Sequence, residues 1–438
     1  MEALLTTDTS GQLWTASLCD HFTGTSLATF KSGYSCERSI CVSKDRLVIA
    51  SKDRPILSVW DFRAARKDGQ PQRQTCPGVI TALEASPDST YIAAGIAEKV
   101  HIWQLTTGML VAVLTSHYQT VTKIRFSDDG SHLVTASRDN LVLVWAMSEV
   151  VRQCTHGRSC NPLHVISAHS LPVTDLFVGA GGPLAHFISS SLDHSCKVWE
   201  LCTGQLLCNL LFDAPVESVT ADASETCLFG GCSDGSIYLV YLFPENASQE
   251  RHITPQDSEN TSIFKGHSAS VTCLSVSMDG TTLASGSTDQ TARVWDIGSG
   301  QCLRVLQHKG SVGAVQFVLR PLPTTGGTAP PRALPPLPSF QRSFPWESES
   351  TVGSTAESGY AVKISRPLEE SEKNYEEAVG LPRSLREGNA KVYQLQSQPQ
   401  SDDEVRRLQR INAQLYHLYA QTIMGEADIA SSNSDNEH

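Results

Sequence analysis

The chain has 438 residues, 40% hydrophobic and 18% charged, a balance that suits a soluble globular protein and argues against wholesale disorder. A formal net charge of −12 argues against a broad basic face built to hold bare nucleic acid. With no run of 18 apolar residues and an acidic start over 1–9, neither a membrane-spanning helix nor a secretory signal is expected, so the 13 cysteines read as reduced thiols of the cytosol or nucleus.

In chain order, strand-like runs come first at 2–7, 12–19 and 26–30. Tryptophans then set a ruler. They stand at 14, 60, 103, 145, 199 and 295, with gaps of 46, 43, 42, 54 and 96, and a seventh, Trp346, falls out of register. Asp139 precedes Trp145, Asp193 precedes Trp199 and Asp289 precedes Trp295, each by six residues. Asp234 stands six before Val240, so Val240 fills a tryptophan slot and splits the longest gap into 41 and 55. The two remaining long gaps hold polar stretches, 147–162 and 243–262, which read as surface insertions. Seven units of about forty residues remain, the period of a four-stranded propeller blade.

The last full unit shows the local pattern. Gly266-His267 opens it, 271–277 alternates as a strand, and Met278-Asp279-Gly280 turns the chain. A small-residue strand at 283–287, a turn at Thr288-Asp289-Gln290-Thr291, a strand carrying Trp295-Asp296 and a fourth strand at 301–306 complete it. Alternation bounded by Asp, Gly and Ser turns is an antiparallel meander. With its Gly-His start and Trp-Asp end the unit resembles the WD40 family. The resemblance implies a buried network of His, Ser/Thr, Asp and Trp within a blade. Three units carry the full set: His117/Thr135/Asp139/Trp145, His169/Ser189/Asp193/Trp199 and His267/Ser285/Asp289/Trp295. Blade six has Gly230 and Val240 in the hydroxyl and tryptophan slots.

After blade seven, 311–319 offers one more strand. Three N-terminal strands plus this one make a blade, so the fold expected is all-β: a seven-bladed propeller over 1–320, closed by 311–319. Closure removes open sheet edges. Residues 321–345 hold eight prolines and read as an extended linker or a rim loop, and 321–400 as a whole reads as a Pro-rich and polar linker, mostly disordered. Residues 401–424 read as an amphipathic, coiled-coil-like helix, with Ser401 and Glu404 as a capping box. Its seam is Val405, Leu408, Ile411, Leu415 and Leu418. That seam needs a partner, whether a second copy, another protein or the propeller side, and pairing into a homodimer is the first expectation. Arg406, Arg407 and Arg410 read as its solvated face, and 425–438 as a disordered tail.

No motif for catalysis stands out. The Gly-His histidines read as structural rather than as catalytic bases. Cys154, His156, Cys160 and His164 depart from zinc-ligand spacing and read as an ordinary loop, so no metal or other cofactor is expected. The glycines at 179, 181 and 182 lack the Gly-Lys-Ser/Thr of a phosphate loop. Trp60-Asp61-Phe62-Arg63 fits the W-D-x-R core of cullin-4 ubiquitin-ligase substrate receptors, an alternative weighed against a plain blade end.

A narrower resemblance covers nearly the full length. Residues 162–207, with Ala168-His169, Gly181-Gly182-Pro183-Leu184-Ala185 and Lys197-Val198-Trp199-Glu200, residues 264–296, and the tail Asp403-Glu404-Val405-Arg406-Arg407-Leu408-Gln409-Arg410-Ile411-Asn412 resemble the WD40-repeat subunits of the rixosome. The resemblance is weakest over 320–400. It implies a noncatalytic scaffold subunit acting in the nucleus, in nucleolus and nucleoplasm, on precursors of the large ribosomal subunit whose internal-spacer RNA is removed. The partners it implies are helical-repeat scaffold subunits, an RNA endonuclease with its polynucleotide kinase, and a SUMO protease.

Overall fold

The computed structural model describes residues 2–11, 15–31, 35–43, 46–62, 71–154, 160–242, 249–253, 261–319 and 336–344. The expected helix at 401–424, the tail after it and Arg63 lie outside the described residues.

Seven antiparallel sheets succeed one another along the chain as blades of a propeller. Blade one is made from both ends: Val312–Leu319 lies beside Glu2–Asp8, then come Ala16–Cys19 and Ser26–Phe30. The closing register sets Leu4 opposite Phe317 and Thr6 opposite Val315. Blades two to seven occupy 35–75, 80–114, 121–166, 173–212, 216–264 and 271–307. The first strand of each, and Val312–Leu319 in blade one, contacts its counterparts in the neighbouring blades, so these seven strands line the axis. Apolar residues of facing blades then close into clusters. Leu5, Leu18, Leu47, Trp60 and Val318, for example, fill the joint of blades one and two.

Hydroxyl groups latch the joints near the axis. Ser39, Thr81, Thr122, Thr174, Ser218 and Thr272 each donate from a side-chain oxygen to a carbonyl of the next blade, at Thr81, Val121, Val173, Val216, Val271 and Val312. These bonds span 2.7 to 3.0 Å, and each gives a hydroxyl at the joint a carbonyl acceptor in the neighbouring blade. Gly313, next to Val312 in blade one, has no hydroxyl to offer. There Ser35 Oγ donates backward to the Asp8 carbonyl at 3.0 Å.

Three segments differ from expectation. The 147–162 insertion opens with an α-helix, Met147–Cys154, because Met147 and Val150 lie three apart and pack into the core under blades three and four. The 243–262 insertion carries a strand, Glu250–Ile253, which pairs in parallel with Leu206–Phe212 and makes blade five five-stranded. Alternation there is short and polar, so only the exposed edge of blade five reveals it. Finally, 336–344, part of the stretch read as an extended linker or a rim loop, packs on blades two and three, with Leu337 and Phe340 buried.

Candidate functional site

The three histidine networks are assembled by strand register. In blade seven, Thr282–Ser287 pairs with Thr291–Asp296, which brings Ser285 to within reach of Trp295, and the turn between them carries Asp289. The indole Nε1–H of Trp295 donates to Ser285 Oγ at 2.8 Å. Ser285 Oγ lies 2.8 Å from His267 Nε2, and His267 Nδ1 lies 2.8 Å from Asp289 Oδ2. Asp289 also accepts the N–H groups of Ser268 and Thr291 and the Thr291 hydroxyl. Blades four and five repeat the chain. Trp145, Thr135, His117 and Asp139 are linked at 3.1, 2.9 and 3.0 Å. Trp199, Ser189, His169 and Asp193 are linked at 3.0, 2.8 and 3.1 Å.

These bonds set the electrostatics. Burial opposes ionisation of Asp289, but hydrogen bonds from Thr291, His267 and Ser268 outweigh it and pull its pKa down to about 2. Asp139 and Asp193 are held below their usual range in the same way. Burial lowers His267 against the pull of Asp289, so the imidazole stays neutral. The neutral form with Nδ1–H suits the chain: Ser285 donates to Nε2, and Nδ1–H donates to the carboxylate.

This order, hydroxyl to imidazole to carboxylate, is the connectivity of a hydrolytic triad. Here it is sealed. Thr135, Ser189 and Ser285 are each 0% exposed, and each hydroxyl already accepts an indole N–H. A nucleophile without a path to substrate does no chemistry, and the arrangement instead rigidifies its blade.

Blade one holds a split relative of these networks that sequence reasoning missed. Asp8 stands six residues before Trp14, and His308 comes from the other end of the chain. Asp8 Oδ2 accepts the Lys309 N–H at 3.2 Å, the same bond that Asp289 makes with Ser268. Leu4 occupies the hydroxyl slot, and neither ring nitrogen of buried His308 has a partner among the described residues. The spacing of Asp8 was the available signal.

Charged groups gather at the axis, around a cavity of about 290 Å³. Arg125 pairs with Glu84 at 2.9 Å, Lys123 with Asp175 at 3.3 Å and Arg38 with Glu217 at 3.3 Å. Arg38 sits on a bulged strand at φ 57°. Its guanidinium crosses from blade two to the carbonyls of Thr174, Glu217 and Thr272 in blades five, six and seven. Burial raises the Glu84 carboxyl and lowers the Lys123 ammonium. For Asp175, burial is outweighed by Lys123, Arg38 and Arg125, and its pKa falls. Three cations facing three anions make a tie across the ring, whose charges already satisfy one another.

Among the described residues, the loop candidates make structural contacts. His164 Nε2 bonds the Cys202 carbonyl, Cys160 is a buried thiol, and His156 and the Cys154 side chain lie outside the described residues. Gly181 and Gly182 N–H groups donate to the Asp128 carboxylate at 3.1 and 2.7 Å, so this corner holds a protein carboxylate. Trp60 and Phe62 are buried against Phe30.

The family model described as WD domain, G-beta repeat matches residues 108–146, 160–200 and 258–296. These stretches contain the three full networks. WD repeat-containing protein 18 of Danio rerio is 37% identical over 435 residues, covering 97% of this chain and 98% of that protein. The chain belongs to the WD repeat-containing protein 18 family. The Homo sapiens member is 39% identical over 343 residues, 78% of each chain. A Schizosaccharomyces pombe protein named pre-rRNA-processing protein crb3/ipi3 is 28% identical over 331 residues, 68% of this chain and 73% of that one. The likeness to WD repeat-containing protein 18 thus runs nearly end to end, while the repeat model selects only network-bearing blades.

Proposed function

We propose that this chain is a noncatalytic scaffold subunit of an assembly that processes ribosomal RNA precursors during maturation of the large ribosomal subunit, in the nucleolus and nucleoplasm. The observation that carries the reading is near-full-length kinship with WD repeat-containing protein 18, extended by the pre-rRNA-processing relative. The sealed hydroxyl–imidazole–carboxylate chains support a noncatalytic role, because the groups that could react are consumed in packing. In the rixosome reading, helical-repeat scaffold subunits bind the propeller, and the RNA endonuclease, polynucleotide kinase and SUMO protease supply the chemistry. The helix at 401–424 pairs two copies through Val405, Leu408, Ile411, Leu415 and Leu418.

Affinity purification tests the partners. Recovery of those subunits with pre-ribosomal particles is expected. Recovery instead of a cullin adaptor, lost in Arg63→Ala, would favour the substrate-receptor alternative at Trp60-Asp61-Phe62-Arg63. Light scattering tests the helix. Leu408→Asp with Leu415→Asp should leave the propeller folded and reduce the mass to one copy; an unchanged mass together with unchanged partner recovery would refute the helix as an assembly element.

A further inference from the structure

Segment 336–344 meets the propeller as a peptide meets a receptor. Gln72 holds both backbone groups of Leu337: its Oε1 accepts the Leu337 N–H at 2.7 Å, and its Nε2 donates to the Leu337 carbonyl at 2.5 Å. Gln74 Nε2 donates to the same carbonyl at 3.1 Å. Three residues on, Phe340 stacks on Trp103, with ring centroids 5.3 Å apart and planes 10° apart. Leu337 and Phe340 are 7% and 5% exposed. The next residue reads the rim with its backbone and side chain together. The Gln341 N–H donates to the Gly108 carbonyl at 2.9 Å, and its carbonyl accepts the Trp103 indole N–H at 2.7 Å. Its side-chain Oε1 accepts the Leu110 N–H at 3.3 Å.

The receptor side is prepared for this. Ala93 stands ten residues before Trp103, where the network blades have Ser or Thr, so blade three gives its indole N–H no local acceptor. Gly108, at φ 71°, leaves the space: a Cβ there would come within 2.5 Å of the Ser339 carbonyl oxygen. Pro336 and Pro338 restrict the ligand backbone before it docks, which lowers the entropy lost on binding.

We propose that the rim of blades two and three is a peptide-recognition groove. Its ligand class is an extended segment presenting Leu-x-x-aromatic-Gln. Its occupant is this chain's own segment 336–344, held in cis. The assignment rests on contacts within the chain and stands whether or not the assembly reading does. The groove fixes one point of the chain beyond the closing strand, at the rim of the two blades that follow the one this strand completes.

The test uses the full chain carrying Leu337→Ser and Phe340→Ser, which empties the groove, and a labelled synthetic peptide of residues 334–346. Saturable binding to the variant is expected, at least about tenfold tighter than to the unsubstituted chain, whose groove is already filled in cis. The same peptide carrying Phe340→Ala should not bind. A folded variant that binds no peptide, or binds it no better than the unsubstituted chain, overturns the proposal. If the double variant does not fold, Phe340→Leu is compared by hydrogen exchange. The Leu110 and Gln341 amides should exchange about tenfold faster than in the unsubstituted chain, and unchanged exchange there overturns it.

Discussion

Blade seven and blade three bury the same kind of residue and satisfy it in opposite ways. Trp295 is 2% exposed and Trp103 is 0% exposed, and each indole N–H needs an acceptor. Blade seven supplies one ten residues away, in Ser285, and secures that serine through His267 and Asp289. Blade three has alanine in that place and takes its acceptor from Gln341, 238 residues along the chain. A blade with a full network is self-sufficient. A blade that keeps its tryptophan but lacks the hydroxyl buries a donor that only a group outside the network can meet. Blade two, with Ala50 at the same place, leaves Trp60 Nε1 without a partner among the described residues.

Truncation gives the largest contrast. A chain ending at Gly310 loses the axial strand of blade one along with the strap at 336–344, whereas one ending at Arg320 keeps the closed ring and loses the strap and the tail. The first should aggregate through the opened sheet edge, and the second should stay folded with a lower Tm. Size-exclusion chromatography and thermal melts separate them, and equal behaviour of the two would mean that closure contributes little.

Asp289→Ala comes next. It strips four accepted hydrogen bonds from one carboxylate and leaves His267 short of a partner, so a loss of about 1–3 kcal/mol is expected in chemical denaturation. Unchanged stability would show that the network is ornamental to blade seven.

Acid should act on blade three through His101 and on blade seven in two stages, first through His267, which burial also lowers, and then through Asp289. Burial and the nearby Lys99 lower His101, beside Trp103 in blade three, from 6.5 to about 4. Its folded form stays neutral where the unfolded form is protonated, so stability falls as pH drops from about 6.5 to 4. Asp289, lowered from 3.8 to about 2, holds its contribution above pH 4 and loses it as pH falls to 2. Hydrogen-exchange protection around Leu110, taken relative to the intrinsic exchange rate at each pH, should therefore fall near pH 5, a range in which Asp289 is still ionised. If Leu110 and the Ser285 strand loosen together only below pH 4, His101 does not govern blade three.

The smallest effect separates the two tryptophans. Trp103→Phe keeps the stack on Phe340 and removes one donor, at about 0.5–1.5 kcal/mol. Trp295→Phe should cost more, because it leaves Ser285 in a buried, coupled chain with one donor fewer. Reversal of that order, measured by urea titration, would place the greater dependence on the strap.

The amino-acid sequence by itself determined the repeat. Tryptophan spacing, the aspartate six residues earlier and the hydroxyl four before that are local relations, and a strand register of two residues per pleat turns them directly into contacts. The closing blade was legible for the same reason, since three strands at one end and one at the other leave a single way to complete a sheet. What the tertiary structure alone decided are contacts with no period. Arg38 reaches three blades across the axis, Glu250–Ile253 joins blade five in parallel, and Gln341 meets Trp103. Each depends on where distant segments come to lie once the ring has closed. A proline-rich stretch reads as linker because its composition forbids regular strands and helices, yet composition does not forbid an extended backbone from docking where a missing hydroxyl has left a donor to satisfy.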